Sequence, residues 1–408
     1  MDYYICRSAK LKYLTDIRKP YFLNRYKKCF FVFLVCHSFL AVGQKNTPYF
    51  SIEGGAGRIV PNYTKNYPKA SARVDGIASL YLSAKDKKWA PYFNHPEVGI
   101  SLLGSFLGNS KIFGNQFSIY PFINLNFNNK PNPLFFKFGL GLAHFSTYYD
   151  AQTNPDNLAI GSPFSWHFNA SFGKTLSYFN KGELRLTGGY FHSSNGHTQI
   201  PNFGLNSALI GLEYIFKKNN QTKERVKLSE SPSYWILEHR NGLGFHELAA
   251  TYRPIGTPKY GVFTTGINVG YVHREHIKYK AGFYARYYNS YYNYIINNYG
   301  SSTIAEAGNI YLMAGAEFLL GHVGIDIEGG LNLYKPFFKE FYTTFENRGK
   351  VDYWTKALFN TRMGLNYYLF DNYSGKKWNV RVGAHINANF GQADFSDVSA
   401  GIVRRIGN

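Results

Sequence analysis

The segment FHSSNGHTQIPNFGLN, residues 191–206, sets histidine, paired serines and three asparagines between two strand-like runs. In an extended chain, residues two apart share a side, so His192 and Ser194 are neighbours on one face. Asn206 opens the returning run on the same parity and is expected to come back beside His192. A hydroxyl to attack, an imidazole to take its proton and a third polar group to hold the ring are what nucleophilic acyl transfer needs. The plainer reading is a polar hairpin loop, because Ser, Asn and Gly fill such loops anyway. His-x-Ser is also a weak signal, since it recurs at His144 and Ser146.

These residues are carried by segments of about ten residues with apolar side chains at every second position, separated by Asn, Gly, Pro and Lys clusters. In FSWHFNASF, Phe164, Trp166, Phe168, Ala170 and Phe172 share one face, and Ser165, His167, Asn169 and Ser171 share the other. The even-numbered series Leu184, Leu186, Gly188 and Tyr190 leads into His192, and Ala208, Ile210, Leu212, Tyr214 and Phe216 follow Asn206. The trio therefore belongs to the apolar face, at the end where hydrocarbon gives way to headgroups. Arg185 and Glu213 have the opposite parity and are expected to face each other across the interior.

With 35 Tyr, 35 Phe and 40 Gly in 408 residues, the composition favours strands and tight turns. Beyond the N-terminal region no apolar run is long enough for a spanning helix, so a membrane reading is a barrel reading. A soluble sandwich is the alternative for alternating strands. Eight candidate strands precede residue 217, near 49–60, 72–83, 95–107, 115–127, 134–146, 159–173, 182–194 and 206–217. Eight more follow, near 234–252, 259–273, 277–289, 304–319, 322–334, 354–370, 378–390 and 395–406. The fold class is all-β: an antiparallel transmembrane β-barrel with about eight strands in each of two halves, either two tandem barrels or one larger barrel.

The expected organisation is a signal peptide with an N-terminal extension over 1–43, a first barrel over 44–217, a charged linker over 218–233 and a second, degenerate barrel-like unit over 234–408. In the leader, Arg25, Lys27 and Lys28 precede the apolar CFFVFLVCHSFLAVG, the order of a secretory signal. Cys6, Cys29 and Cys36 all lie within it, so disulfides and cysteine catalysis are excluded for the mature chain. Removing the leader lowers the formal charge from +20 to about +14, which suits an anionic partner; export argues against nucleic acid.

Over residues 49–217 the chain resembles the lipid A 3-O-deacylases and their acyloxyacyl hydrolase relatives. The resemblance rests on His192-x-Ser194-Asn195, Pro201-Asn202-x-Gly204 and position 206, with a second likeness in FKFGLGLAHFSTYYDAQTNPDNLAIGS, residues 136–162. It implies an eight-stranded outer-membrane barrel of a Gram-negative cell, acting on lipid A of lipopolysaccharide without metal or organic cofactor. Ser194 would be the nucleophile and His192 the base, with Asn195, Asn202 and Gly204 shaping the loop or holding the oxyanion. The family's third member is acidic, and Asn206 departs from it: a carboxamide can orient the ring but supplies no charge. The competing reading is a porin-like or structural barrel that has lost the chemistry.

The second half carries no matching serine beside His385, which the parity of VRVGAHINANF turns, with Asn387, to the interior. His239, His246, His273 and His276 read as solvated or interfacial rather than as metal ligands.

Overall fold

The computed structural model describes residues 48–62, 67–82, 84, 87–127, 134–216, 230–346 and 348–407. The expected leader and residues 217–229 of the linker region lie outside them. Sixteen strands form two closed antiparallel barrels of eight, which answers the choice between two barrels and one.

The first barrel runs β1 (Tyr49–Ile59), β2 (Ala72–Leu82), β3 (Glu97–Phe106), β4 (Asn115–Asn126), β5 (Leu134–Phe145), β6 (Phe164–Phe179), β7 (Gly182–Ser194) and β8 (Leu205–Phe216). It closes where β1 pairs with β8. The second runs β9 (Tyr234–Glu247), β10 (Lys259–His273), β11 (Ile277–Tyr288), β12 (Gly308–Leu320), β13 (Val323–Tyr334), β14 (Phe359–Tyr368), β15 (Trp378–Asn389) and β16 (Gln392–Ile406), closing between β9 and β16.

Alternation sorts the side chains. Phe50, Ile52, Leu102, Phe172, Ile210 and Leu212 stand exposed on the outside of the first barrel, and Leu237, Ile267, Phe283, Val382 and Ile402 on the second. Such apolar walls suit contact with lipid rather than water. Among the described residues no helix is long and apolar enough to cross a membrane.

Both interiors are filled. In the first, Arg73 holds Asp75 through two hydrogen bonds of 2.8 Å, and Lys137 lies 3.6 Å from Glu213. Arg185 and Glu213 are cross-strand neighbours as expected, but the guanidinium bonds Glu97 and Glu183 instead. Glu213 is taken by Ser51 and Tyr81, each at 2.7 Å. In the second, Arg240 grips Glu328, Lys280 bridges Asp326 and Glu328, and Arg381 pairs with Glu238. His385 faces this interior at 0% exposure, with Arg362 donating to its Nδ1 at 2.7 Å.

Three departures have local causes. The sixth strand extends to Phe179 rather than ending near 173, because a bulge between Thr175 and Ser177 shifts its register. The ninth strand stops at Glu247, and residues 248–258 become a loop. The stretch expected to begin a strand at 354 is instead helical until Leu358, one of three helices capping the second barrel: α1 (Asn289–Tyr299), α2 (Phe338–Phe341) and α3 (Lys350–Leu358).

The barrels stand side by side, touching at both rims. At the lower rim Tyr92 stacks on His276 with ring centroids 4.4 Å apart, and Trp89, Val98 and Ile123 pack with Leu320 and Val323. At the upper rim the loop after β7 meets the β9–β10 loop.

Candidate active site

Register places His192 directly opposite Asn206 across the β7–β8 pair. Their side chains meet: His192 Nδ1 lies 2.5 Å from Asn206 Oδ1. The carboxamide oxygen accepts, so Nδ1 carries the proton and Nε2 is left with its lone pair. Tyr190, two residues upstream on the same face, donates its hydroxyl to the same oxygen at 2.6 Å. Asn206 Nδ2 in turn donates to Asn62 Oδ1, and Asn62 Nδ2 donates to the Phe203 carbonyl at 2.6 Å. Burial around His192 is partial, whereas Asn206 is buried.

Ser194 ends β7 and is covered by the ten-residue loop 195–204. Its Oγ accepts from Asn202 Nδ2 at 2.9 Å and from the Gly196 amide at 3.3 Å. No hydrogen bond joins Ser194 to His192. The two flank Gly204: a Cβ added there would lie 3.0 Å from His192 Cε1 and 3.6 Å from Ser194 Cβ. Gly204 has φ +74°, which glycine adopts without strain, and Tyr67 donates to its carbonyl at 3.1 Å. The glycine thus lets the loop pass between the imidazole and the carbon bearing the hydroxyl.

Of the supporting asparagines, Asn202 points at the serine. Asn195 does not: its Nδ2 donates to the Gln199 carbonyl at 2.7 Å and to Ser162 at 3.3 Å, which folds the loop on itself. Sequence reasoning missed Tyr190 and Asn62. Tyr190 was accessible through its shared parity with His192. Asn62 was hidden, because it reaches Asn206 across the β1–β8 seam that closes the barrel.

The second barrel contains a Ser-His-Asp grouping of its own. His246 is buried, not solvated, and its Nε2 lies 2.6 Å from Ser290 Oγ at the start of α1. Asp394 is 3.9 Å from His246 Nδ1 and already accepts the Tyr288 hydroxyl at 2.7 Å. Ser290 is 1% exposed, so this grouping reads as packing beneath the cap. Among the described residues no cluster of three or more His, Cys, Asp or Glu is arranged to hold a metal.

Residues 77–214 match the family model of lipid A 3-O-deacylase (PagL), a range that runs from β2 to β8 and holds the residues of the His192 site except Asn62 and Tyr67. No curated protein matches the chain. Among solved structures, it is similar to CdiB from Acinetobacter baumannii at 8% identity and a TM-score of 0.17, covering 88% of this chain and 60% of that one. It is also similar to an outer membrane channel from Pseudomonas putida F1, at 8% identity and TM-score 0.20, covering 89% and 97% of the two chains. The outer membrane protein opdK from Pseudomonas aeruginosa matches at 11% identity and TM-score 0.20, covering 88% and 99%. The chain spans 60% of the length of CdiB.

Proposed function

From the match of residues 77–214 to the family model of lipid A 3-O-deacylase, we propose that this chain is an outer-membrane serine esterase. It removes an ester-linked acyl chain from lipid A in the outer leaflet of a Gram-negative cell. The observation that carries the reading is the His192–Asn206 contact at 2.5 Å, with the Ser194 Cβ on the other side of Gly204 from the imidazole.

The acyl chains of the substrate would lie along exposed Leu186, Ile210 and Leu212. Catalysis requires Ser194 Oγ to leave Asn202 and reach His192 Nε2 past Gly204, a contact that would be completed on binding substrate. Nε2 takes the hydroxyl proton as Oγ attacks the ester carbonyl. The Asn202 Nδ2 and Gly196 N–H, which now hold Oγ, would donate to the developing oxyanion. Collapse of the tetrahedral intermediate breaks the ester bond, and the imidazolium returns its proton to the sugar oxygen. Water, deprotonated by the same imidazole, releases the fatty acid from the acyl-serine.

Asn206 holds the ring without steadying its charge, so turnover is expected to be slow. The porin-like alternative is disfavoured by the first lumen, which Arg73, Lys137, Arg185 and their carboxylate partners fill. The test is mass spectrometry of lipid A from cells making the full chain or Ser194→Ala. Loss of one acyl chain with the wild type only is expected. Identical spectra with both proteins folded in the membrane would overturn the esterase reading.

A further inference from the structure

The loop that covers Ser194 is held from two sides. The β5–β6 loop satisfies its C-terminal end, where the Phe203 and Gly204 amides donate to the Leu158 and Ala159 carbonyls, each at 3.1 Å. The middle of the loop is satisfied by the second barrel. The Ile200 amide donates to Glu247 Oε2 at 3.0 Å, and the Asn202 amide donates to the Thr251 carbonyl at 2.8 Å. His197 Nε2 donates to the Ala249 carbonyl at 3.0 Å, and the Glu247 amide donates back to the His197 carbonyl at 3.3 Å.

The approach is close and the backbone is held in unusual shapes. His197 has φ +67°, a region that non-glycine residues rarely adopt. A Cβ on Gly196 would come within 2.1 Å of Ser396 Oγ, which already accepts the Trp166 indole N–H at 3.0 Å. Phe203 packs on Tyr252 with ring centroids 5.2 Å apart. Glu247 and Thr251 are both buried. Without the second barrel, the Ile200 and Asn202 amides would lose their protein partners, and buried donors are seldom left unpaired.

We infer that the second barrel is a positioning element of the first barrel's site. Glu247 and the Thr251 carbonyl fix the Ile200–Asn202 backbone, and so fix the Asn202 carboxamide on the Ser194 hydroxyl. This rests on the esterase reading above. Glu247 touches neither the reacting hydroxyl nor the imidazole; it acts through the loop, which makes it a positioning residue. The second copy has thereby become a wall of the site rather than a second site.

The test compares Glu247→Ala and Glu247→Gln in the full chain, reconstituted in vesicles containing lipopolysaccharide. Glutamine keeps an acceptor oxygen for the Ile200 amide and alanine does not. Hydrogen exchange at the Ile200 and Asn202 amides is read alongside kcat and KM for acyl release. With alanine, exchange at Ile200 should rise at least roughly tenfold and kcat should fall roughly tenfold with KM within about twofold. Glutamine should restore both. Unchanged exchange in Glu247→Ala would overturn the inference whatever the activity. Faster exchange with unaltered kcat would also overturn it, because the loop would be held without positioning anything. If the wild type releases no acyl chain, the esterase reading is what fails, and exchange still reports whether Glu247 holds the loop. A variant that does not fold is recognised by loss of exchange protection throughout β9, and Glu247→Gln then carries the comparison with Gln199→Ala, which removes only the Lys259 contact.

Discussion

The same hairpin occupies corresponding places in the two barrels, and its contents differ. Between β7 and β8 the chain spends ten residues, 195–204, and places polar groups on the outer face where His192 meets Asn206. Between β15 and β16 it turns in two, Phe390 and Gly391, with φ +46° and +85°, a tight turn of the kind that right-twisted strands favour. The outward positions near that turn pair Ile386 with Ser396, and Ser396 is spent on Trp166 of the first barrel. The histidine of β15, His385, points inward among Arg362, Asp326 and Asp397. One frame thus carries two arrangements: a long hairpin bears the proposed site, and a short one offers an edge to a neighbour.

Exchanging the two histidines tests that contrast most severely. His192→Ala should lower acyl release by roughly 10³-fold, the scale of a positioned general base's contribution. It should leave the barrel folded, because among the described residues its ring hydrogen-bonds Asn206 alone. His385→Ala should leave kcat within about twofold but lower stability by about 3 kcal/mol, since it leaves Arg362 and its carboxylates poorly paired in a closed interior. Activity assays and denaturant unfolding of both variants check the pair. Equal activity losses would mean that the barrels do not divide chemistry from support in this way.

Asn206→Glu sharpens the comparison within the first hairpin. Two donors, the Tyr190 hydroxyl and His192 Nδ1, already converge on Asn206 Oδ1, so a carboxylate would be received by both. The Asn62 amide can turn its Nδ2 toward the new oxygen. Acyl release should rise about tenfold or more as the imidazolium gains a counter-charge. Asn206→Ala should reduce it. A complete loss in Asn206→Glu with folding intact would show that position 206 does not orient the ring.

Much of this was legible because alternation is a physical constraint at every strand. All sixteen strands announce themselves through period two, and the same parity puts His192 and Asn206 on one face. What stayed hidden is tertiary. The helix α1, NSYYNYIINNY, has poor helix formers and is held by Tyr291, which stacks on Tyr288 at 4.3 Å and packs tilted against Phe337 at 4.5 Å. The bulge in β6 leaves no mark that alternation can read. Asn62 reaches the site only through barrel closure, and Glu247 only through the meeting of two halves that the chain separates widely.

A methyl group at each hairpin glycine gives a smaller effect. Gly204→Ala meets His192 Cε1 at 3.0 Å and the Ser193 carbonyl at 3.3 Å, in a backbone region alanine resists. Acyl release should fall about tenfold, with about 1 kcal/mol of stability lost. Gly391→Ala has the same backbone problem but nothing within 4 Å, so it should lose similar stability and keep full activity. Kinetics and unfolding measured on both separate strain from chemistry.

The smallest expected effect is on pH. Burial pushes the His197 imidazole below its ordinary value, partly opposed by Asp394 and Glu346 nearby. In the opened loop the ring regains its usual pKa of about 6.5 and binds a proton first as the solution is acidified. The loop's hold on the second barrel is therefore complete above about pH 6.5 and weakens as pH falls below it. Exchange at the Ile200 amide should quicken by roughly threefold between pH 7 and pH 5.5, after correction for intrinsic rates. Lys335, below the cap of the second barrel, is pushed down to about 7 by burial, against the opposing pull of Asp394. An exposed lysine titrates near 10.4, so the cap should gain stability as pH rises from about 7 toward that value. Acidification from pH 7 to 5.5 should then loosen the loop and leave the cap's Lys335 contribution nearly flat. His197→Gln, which keeps a side-chain donor but cannot titrate, should flatten the loop's response and leave the cap's unaltered. If the variant responds to acid as the wild type does, the pH dependence belongs to another group.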